Sequence, residues 1–167
     1  MSSTSSRASS MSDQRSQNSE AGPLISGLHH VNLQVPPQTL YLAQEFYGST
    51  LGLTQATVPT SMKAHLAWFN IGSSGQQIHI TSQNHLTQAQ MLAQTESPRH
   101  PCFKILSEDK LDRLQELVWQ SYESGGDGAP KHCDKPGQNN SGQGVSAEFP
   151  KRFFARDYAG NRLEFTL

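Results

Sequence analysis

Cysteine is scarce in this chain. Only Cys102 and Cys133 occur, with no CxxC pair, which excludes a disulfide framework and a thiolate zinc site and fits a reducing, cytoplasmic setting. An excess of charge of one sign is also lacking. Thirteen Lys and Arg against fourteen Asp and Glu leave a formal net charge of -1, and the basic residues are scattered. There is no electrostatic footprint for nucleic acid or an anionic membrane, so a small-molecule partner is expected. No apolar run approaches the ~20 residues that cross a bilayer, and the first residues lack the apolar core of a secretory signal. Neither a nucleic-acid nor a membrane partner is therefore expected.

What is present suits one domain: 167 residues, 34% of them hydrophobic. The opening "MSSTSSRASSMSDQRSQNSE" has nine serines in twenty residues and almost no apolar side chain, so residues 1–23 are expected to be a disordered tail. Asp13 and Glu20 argue against an organellar transit peptide. From Leu28, "LHHVNLQV" alternates as a strand, with Val31, Leu33 and Val35 on one face and His30, Asn32 and Gln34 on the other. "QTLYLAQEFYGSTLGL" then spaces Leu40, Ala43, Phe46, Tyr47 and Leu51 as an amphipathic helix ending near Gly52. A short strand is expected around 54–58, followed by the hairpin "HLAWFNI-GSSG-QQIHIT".

After a polar connector from Asn84 to Arg99 with room for a helical turn, the order repeats. "HPCFKI" predicts a strand, and "SEDKLDRLQELVWQ" a helix with Ser107 as N-cap and Leu111, Leu114, Leu117 and Val118 as its stripe. A Gly-rich segment containing "HCD" at 132–134 reads as a long surface loop. "AEFPKRFFARD" and "NRLEFTL" form a closing hairpin. A shift of 70 residues lays His30 on His100, and a shift of 85 lays "WFNIGSSGQQIHIT" on "FFARDYAGNRLEFT" without a gap. The expected fold is α+β: one domain over 24–167, made of two βαβββ modules (24–83 and 98–167) paired about a pseudo-twofold axis.

Under this overlay His30 matches His100, and His79 matches Glu164. Alternation turns Ile78 and Ile80, like Leu163 and Phe165, toward the helices, and His79 and Glu164 away from them. Three imidazoles and a carboxylate on the non-helix face are suitable ligands for a divalent Zn, Ni, Co, Mn or Fe ion. Each taken alone reads more often as a solvated strand residue; the matched positions favour a shared site. Lys104 and Arg162 share the ligand phase and suit an anionic group or surface ion pairs. Cys102 has the phase of His100. His29 has the opposite phase to His30, and His65 and His85 have no counterpart. Trp68, Phe69, Phe153 and Phe154 suit either aromatic pocket walls or hairpin core.

The stretches "GLHHVNLQV", "AQEFYGSTLGL", "HPCFKI" and "RFFARDYAGNRLEFTL" resemble the vicinal oxygen chelate superfamily, over about residues 24–167. That superfamily includes glyoxalase I, methylmalonyl-CoA epimerase, extradiol dioxygenases, and fosfomycin and bleomycin resistance proteins. The resemblance implies a cup-shaped mixed sheet and a divalent metal held at His30, His79, His100 and Glu164, with Glu164 as the catalytic base. Glyoxalase I has a carboxylate, and the epimerase a glutamine, where this chain has His79. The expected function is a metal-dependent lyase or isomerase of the glyoxalase type, acting on a small oxygenated carbonyl compound as monomer or homodimer. An Fe(II) extradiol-type dioxygenase and a metal-free sequestering protein are the alternatives.

Overall fold

The computed structural model of the protein describes residues 24–82, 87–137 and 151–167. The expected tail, His85 and part of the Gly-rich segment lie outside them. The first module contains β1 (His30–Val35), α1 (Gln44–Thr50), β2 (Thr54–Ala56), β3 (Leu66–Asn70) and β4 (Gln77–Ser82). The connector carries α2 (Gln88–Thr95). The second module contains β5 (Cys102–Lys104), α3 (Glu108–Ser124), β6 (His132–Cys133), β7 (Arg152–Arg156) and β8 (Arg162–Thr166).

Each module folds into a four-stranded mixed sheet, in the orders β1-β4-β3-β2 and β5-β8-β7-β6. In both, the first and last strands run parallel and the remaining pairs antiparallel. The parallel registers agree with the repeat: Asn32 faces His79 in the first sheet, and Cys102 faces Glu164 in the second. The hairpins differ by one residue. Asn70 pairs Gln77, whereas Arg156 pairs Arg162, so the second turn is one residue shorter. The gapless overlay of 85 therefore holds for β4 on β8 but becomes 86 for β3 on β7. Trp68 corresponds to Phe154, not Phe153. Since side-chain direction has period two, the slip reverses the faces: Trp68 and Phe154 point away from the helices, while Phe69 and Phe153 are buried in the core.

Three further sequence expectations are corrected. The first helix is π-helical: the N–H of Leu51 donates to Phe46 O at 2.9 Å, a five-residue step that a three-to-four apolar spacing does not distinguish. It leaves Phe46 and Tyr47 both fully buried, edge to face at 5.0 Å. Leu117 does not belong to the α3 stripe, being 44% exposed, while Gln115 is buried and donates to Asp134 O at 3.0 Å. "HCD" is not a surface loop. His132–Cys133 is an outer strand on β7, and Cys133 and Asp134 are buried, with Asp134 Oδ2 accepting from Phe154 N at 2.9 Å. The Ser107 cap is as expected, accepting from Lys110 N, a contact worth about 1 kcal/mol.

Side chains of both modules share one hydrophobic core. Val35, Phe46, Phe69, Ile78 and Ile80 join Leu111, Val118, Phe153, Leu163 and Phe165. A polar tie also crosses between modules: Tyr47 Oη donates to Asp157 Oδ2 at 2.7 Å, and Asn161 Nδ2 donates to Gln34 O at 3.0 Å. Asp157 is fully buried. Its Oδ1 accepts from the N–H groups of Ala159 and Asn161 at 2.9 and 2.8 Å, and its Oδ2 also accepts from Asn161 Nδ2 at 2.9 Å. No helix among the described residues is long and apolar enough to cross a membrane.

Candidate metal site

The four candidate ligands stand on the face opposite the core, as alternation requires, and they fall into two pairs. In the first module His30 and His79 are stacked, with ring centroids 4.1 Å apart and planes 11° from parallel. Trp68 extends the stack on the other side of His79 at 4.7 Å, because residue 68 lies directly across from 79 in the β3–β4 register. In the second module His100 Nε2 lies 2.8 Å from Glu164 Oε2, and the guanidinium of Arg152 reaches Glu164 Oε1 at 3.5 Å. His100 precedes β5 rather than opening it, and its other nitrogen, Nδ1, donates to Pro98 O at 2.7 Å. Among the described residues, no three His, Cys, Asp or Glu side chains form a single metal-holding group.

The donor chemistry nonetheless suits a first-row divalent ion. Nδ1 of His100 is held by a backbone carbonyl, so a metal would take Nε2 in place of its hydrogen bond to Glu164 Oε2. His79 Nε2 meets Gln77 Oε1 at 2.9 Å, which likewise reserves Nδ1. Gln77 is itself oriented by donating to Asn70 Oδ1 at 2.9 Å. His30 Nδ1 is 3.0 Å from His29 Nδ1. Desolvation, then repulsion from His30 and His29, lowers the pKa of His79, which favours the neutral imidazole that a metal requires.

Cys102 stands beside Glu164 in the β5–β8 register, and burial, then the Glu164 carboxylate, pushes its thiol pKa up. Between the modules, Leu28, His30, Gln76, Cys102, Lys104 and Leu106 are among the residues lining a cleft of about 590 Å³. Gln76 and Lys104 are the repeat counterparts of Asn161 and Gln34; the latter two are hydrogen-bonded, whereas Gln76 donates instead to Leu28 O. His65 is exposed and distant in phase, and His132 is exposed on β6. Sequence reasoning missed Arg152 and Arg156. The alternation of "KRFFAR" would have shown them on the ligand face, but the one-residue slip in the hairpin hid it.

Two βαβββ modules with matched parallel first and last strands decide the architecture. The chain has the vicinal oxygen chelate fold. Solved structures of that fold align along most of it. A Bacillus anthracis protein assigned to the glyoxalase family is 27% identical, with a TM-score of 0.57 over 86% of this chain and 95% of that one. A glyoxalase/dioxygenase from Nostoc punctiforme is 21% identical, with a TM-score of 0.58 over 85% and 90%. A fosfomycin resistance protein from Listeria monocytogenes, solved as a mutant with Mn(II) and dihydroxypropylphosphonic acid, is 18% identical, with a TM-score of 0.58 over 86% and 92%. No protein-family profile and no curated protein matches the sequence significantly. Vicinal oxygen chelate proteins of glyoxalase, dioxygenase and fosfomycin-resistance type are thus what this chain resembles.

Proposed function

We propose that the protein is a divalent-metal-dependent enzyme of the glyoxalase type, acting on a small oxygenated carbonyl compound as a lyase or isomerase. What supports this reading is the register that sets His79 and Glu164 at equivalent positions of the two sheets, with His30 stacked on the first and His100 hydrogen-bonded to the second. These four residues would hold the metal. Bound there, the ion would supply Lewis acidity toward substrate oxygens and stabilise a developing oxyanion or enolate.

The chain's own groups then have distinct tasks. Glu164 is the base, accepting a proton from the carbon beside the carbonyl; His100, hydrogen-bonded to its Oε2, and Arg152, beside Oε1, orient that carboxylate. Trp68 holds the plane of His79 and thereby of His30. Phe154 flanks His100 edge-on at 5.4 Å and helps exclude water. The expected setting is cytoplasmic, as monomer or homodimer.

A second reading, metal-free sequestration, draws on the two-pair arrangement and on the Trp68–His79–His30 stack, a flat wall for a planar ligand. Elemental analysis of tag-free protein, followed by assay of chelator-stripped and reloaded samples on 2-oxoaldehyde hemithioacetals, separates the readings. Metal-dependent turnover supports the glyoxalase-type enzyme. Oxygen uptake with catechols and Fe(II) would replace it with the dioxygenase alternative. Stoichiometric ligand binding with no metal uptake would replace it with sequestration.

A further inference from the structure

The two modules present unlike faces at equivalent places. On the first, Gln34, Leu66, Asn70 and Gln77 carry no charge. Their counterparts on the second are Lys104, Arg152, Arg156 and Arg162, four cations, with the carboxylate of Glu164 on the same face among the described residues. The contrast is sharpest at the end of the hairpin. Asn70 and Gln77 face each other across β3 and β4 and hydrogen-bond at 2.9 Å; in the second module the same positions are Arg156 and Arg162, directly opposed. Like charges directly opposed across an antiparallel pair are destabilising, and the fold does not require them, since an amide pair serves the first module.

Two of these cations flank one ring. Arg162 lies over Phe154 at 4.2 Å and Arg152 at 5.8 Å, while His100 meets its edge. Arg156 Nη1 donates to Gly160 O at 2.9 Å, which fixes its guanidinium at the turn. Among the described residues Arg162 has no carboxylate partner. It is half-buried, so its charge is partly withdrawn from water, a state favourable with an anion alongside. Arg162 precedes Glu164 by one same-face position, about 6.6 Å along the strand.

From this juxtaposition we infer that Arg156 and Arg162, with Arg152, form an oxyanion subsite that takes a carboxylate or phosphonate-type group of the substrate, next to the His100–Glu164 pair. The inference rests on the proposed function for calling the ligand a substrate. It narrows that substrate to an oxygenated carbonyl compound bearing an anionic end. Guanidinium forks match the paired oxygens of either anion.

The test uses chelator-stripped, full-length protein, so that it is independent of metal. Amide chemical shifts are followed while inorganic phosphate, methylphosphonate or acetate is added. Saturable shifts centred on residues 152–164 are expected, with binding weakened roughly tenfold by Arg162→Gln and by Arg156→Gln, the scale of one charge-assisted contact. Arg162→Lys should recover part of the loss, and Lys110→Gln, which removes an exposed cation from α3, should leave binding unchanged. Tighter methylphosphonate assigns a phosphorus oxyanion and tighter acetate a carboxylate. Unsaturable shifts, or equal weakening by Lys110→Gln, overturn the inference. Failure of metal uptake in a protein that still binds these anions defeats the enzyme reading and leaves the subsite standing; metal uptake without anion binding does the reverse.

Discussion

Replacing Tyr47 with Phe removes one hydroxyl from the polar tie between the two modules. Tyr47 and Asp157 are both fully buried, and their hydrogen bond is 2.7 Å long. No water can substitute at a site so enclosed. Asp157 keeps two backbone donors on Oδ1 and Asn161 on Oδ2, so the loss is that of one charge-assisted bond, about 1.5–3 kcal/mol. For a domain of this size that corresponds to roughly 5–10 °C in Tm. Urea and thermal unfolding of metal-free protein at neutral pH would measure it, and a cycle with Asp157→Asn would isolate the pair. The cost of Tyr47→Phe should fall by at least half when Asp157→Asn is already present. The sign with pH is also determined. Burial holds the Asp157 carboxyl above its ordinary value of 3.8, against the opposing pull of Asn161 and Tyr47. The folded state therefore keeps a proton that the unfolded chain has released, and wild type should lose stability relative to Asp157→Asn as pH rises from about 3.8 through the raised folded value. A loss below about 0.5 kcal/mol, or an equal loss with and without Asp157→Asn, would refute the reasoning.

Other expectations rest on neighbouring contacts. In native protein a thiol reagent should label Cys102 and spare Cys133, whose pKa burial pushes up to about 12; counting labelled thiols by mass spectrometry checks this, and rapid double labelling would contradict it. Gln115→Ala should cost about 1–3 kcal/mol by freeing the backbone around Asp134, read from urea unfolding. In a Trp119→Phe variant, leaving Trp68 as the one tryptophan of the two in the chain, a divalent ion should change the fluorescence through the stacked His79, and adding His79→Ala should abolish that response.

Much of the fold was legible because it is written twice. Alternation around Val31 and Ile78, the Ser107 cap and the turn glycines specify elements through local physics, and the repeat orders them. What was not legible depends on partners. His132–Cys133 becomes a strand because β7 offers an edge to a two-residue segment too short to carry a period of its own. The π-helical turn shares its apolar spacing with an α-helix. The one-residue difference between the hairpins is silent in a gapless overlay, yet it decides that Phe154 rather than Phe153 shares a face with Glu164. The common face of the four candidate residues could be read from sequence. Their grouping into a stacked imidazole pair and a His–Glu pair depends on side-chain packing and hydrogen bonding across strands, which spacing does not encode.

The central claim is a single divalent site drawn from both modules, and calorimetric titration of chelator-stripped, tag-free protein with Mn(II) and Zn(II) tests it most directly. One ion per chain is predicted, with uptake lost both in His79→Ala and in the His100→Ala, Glu164→Ala double variant. Absence of uptake, or uptake indifferent to either set of changes, would contradict it.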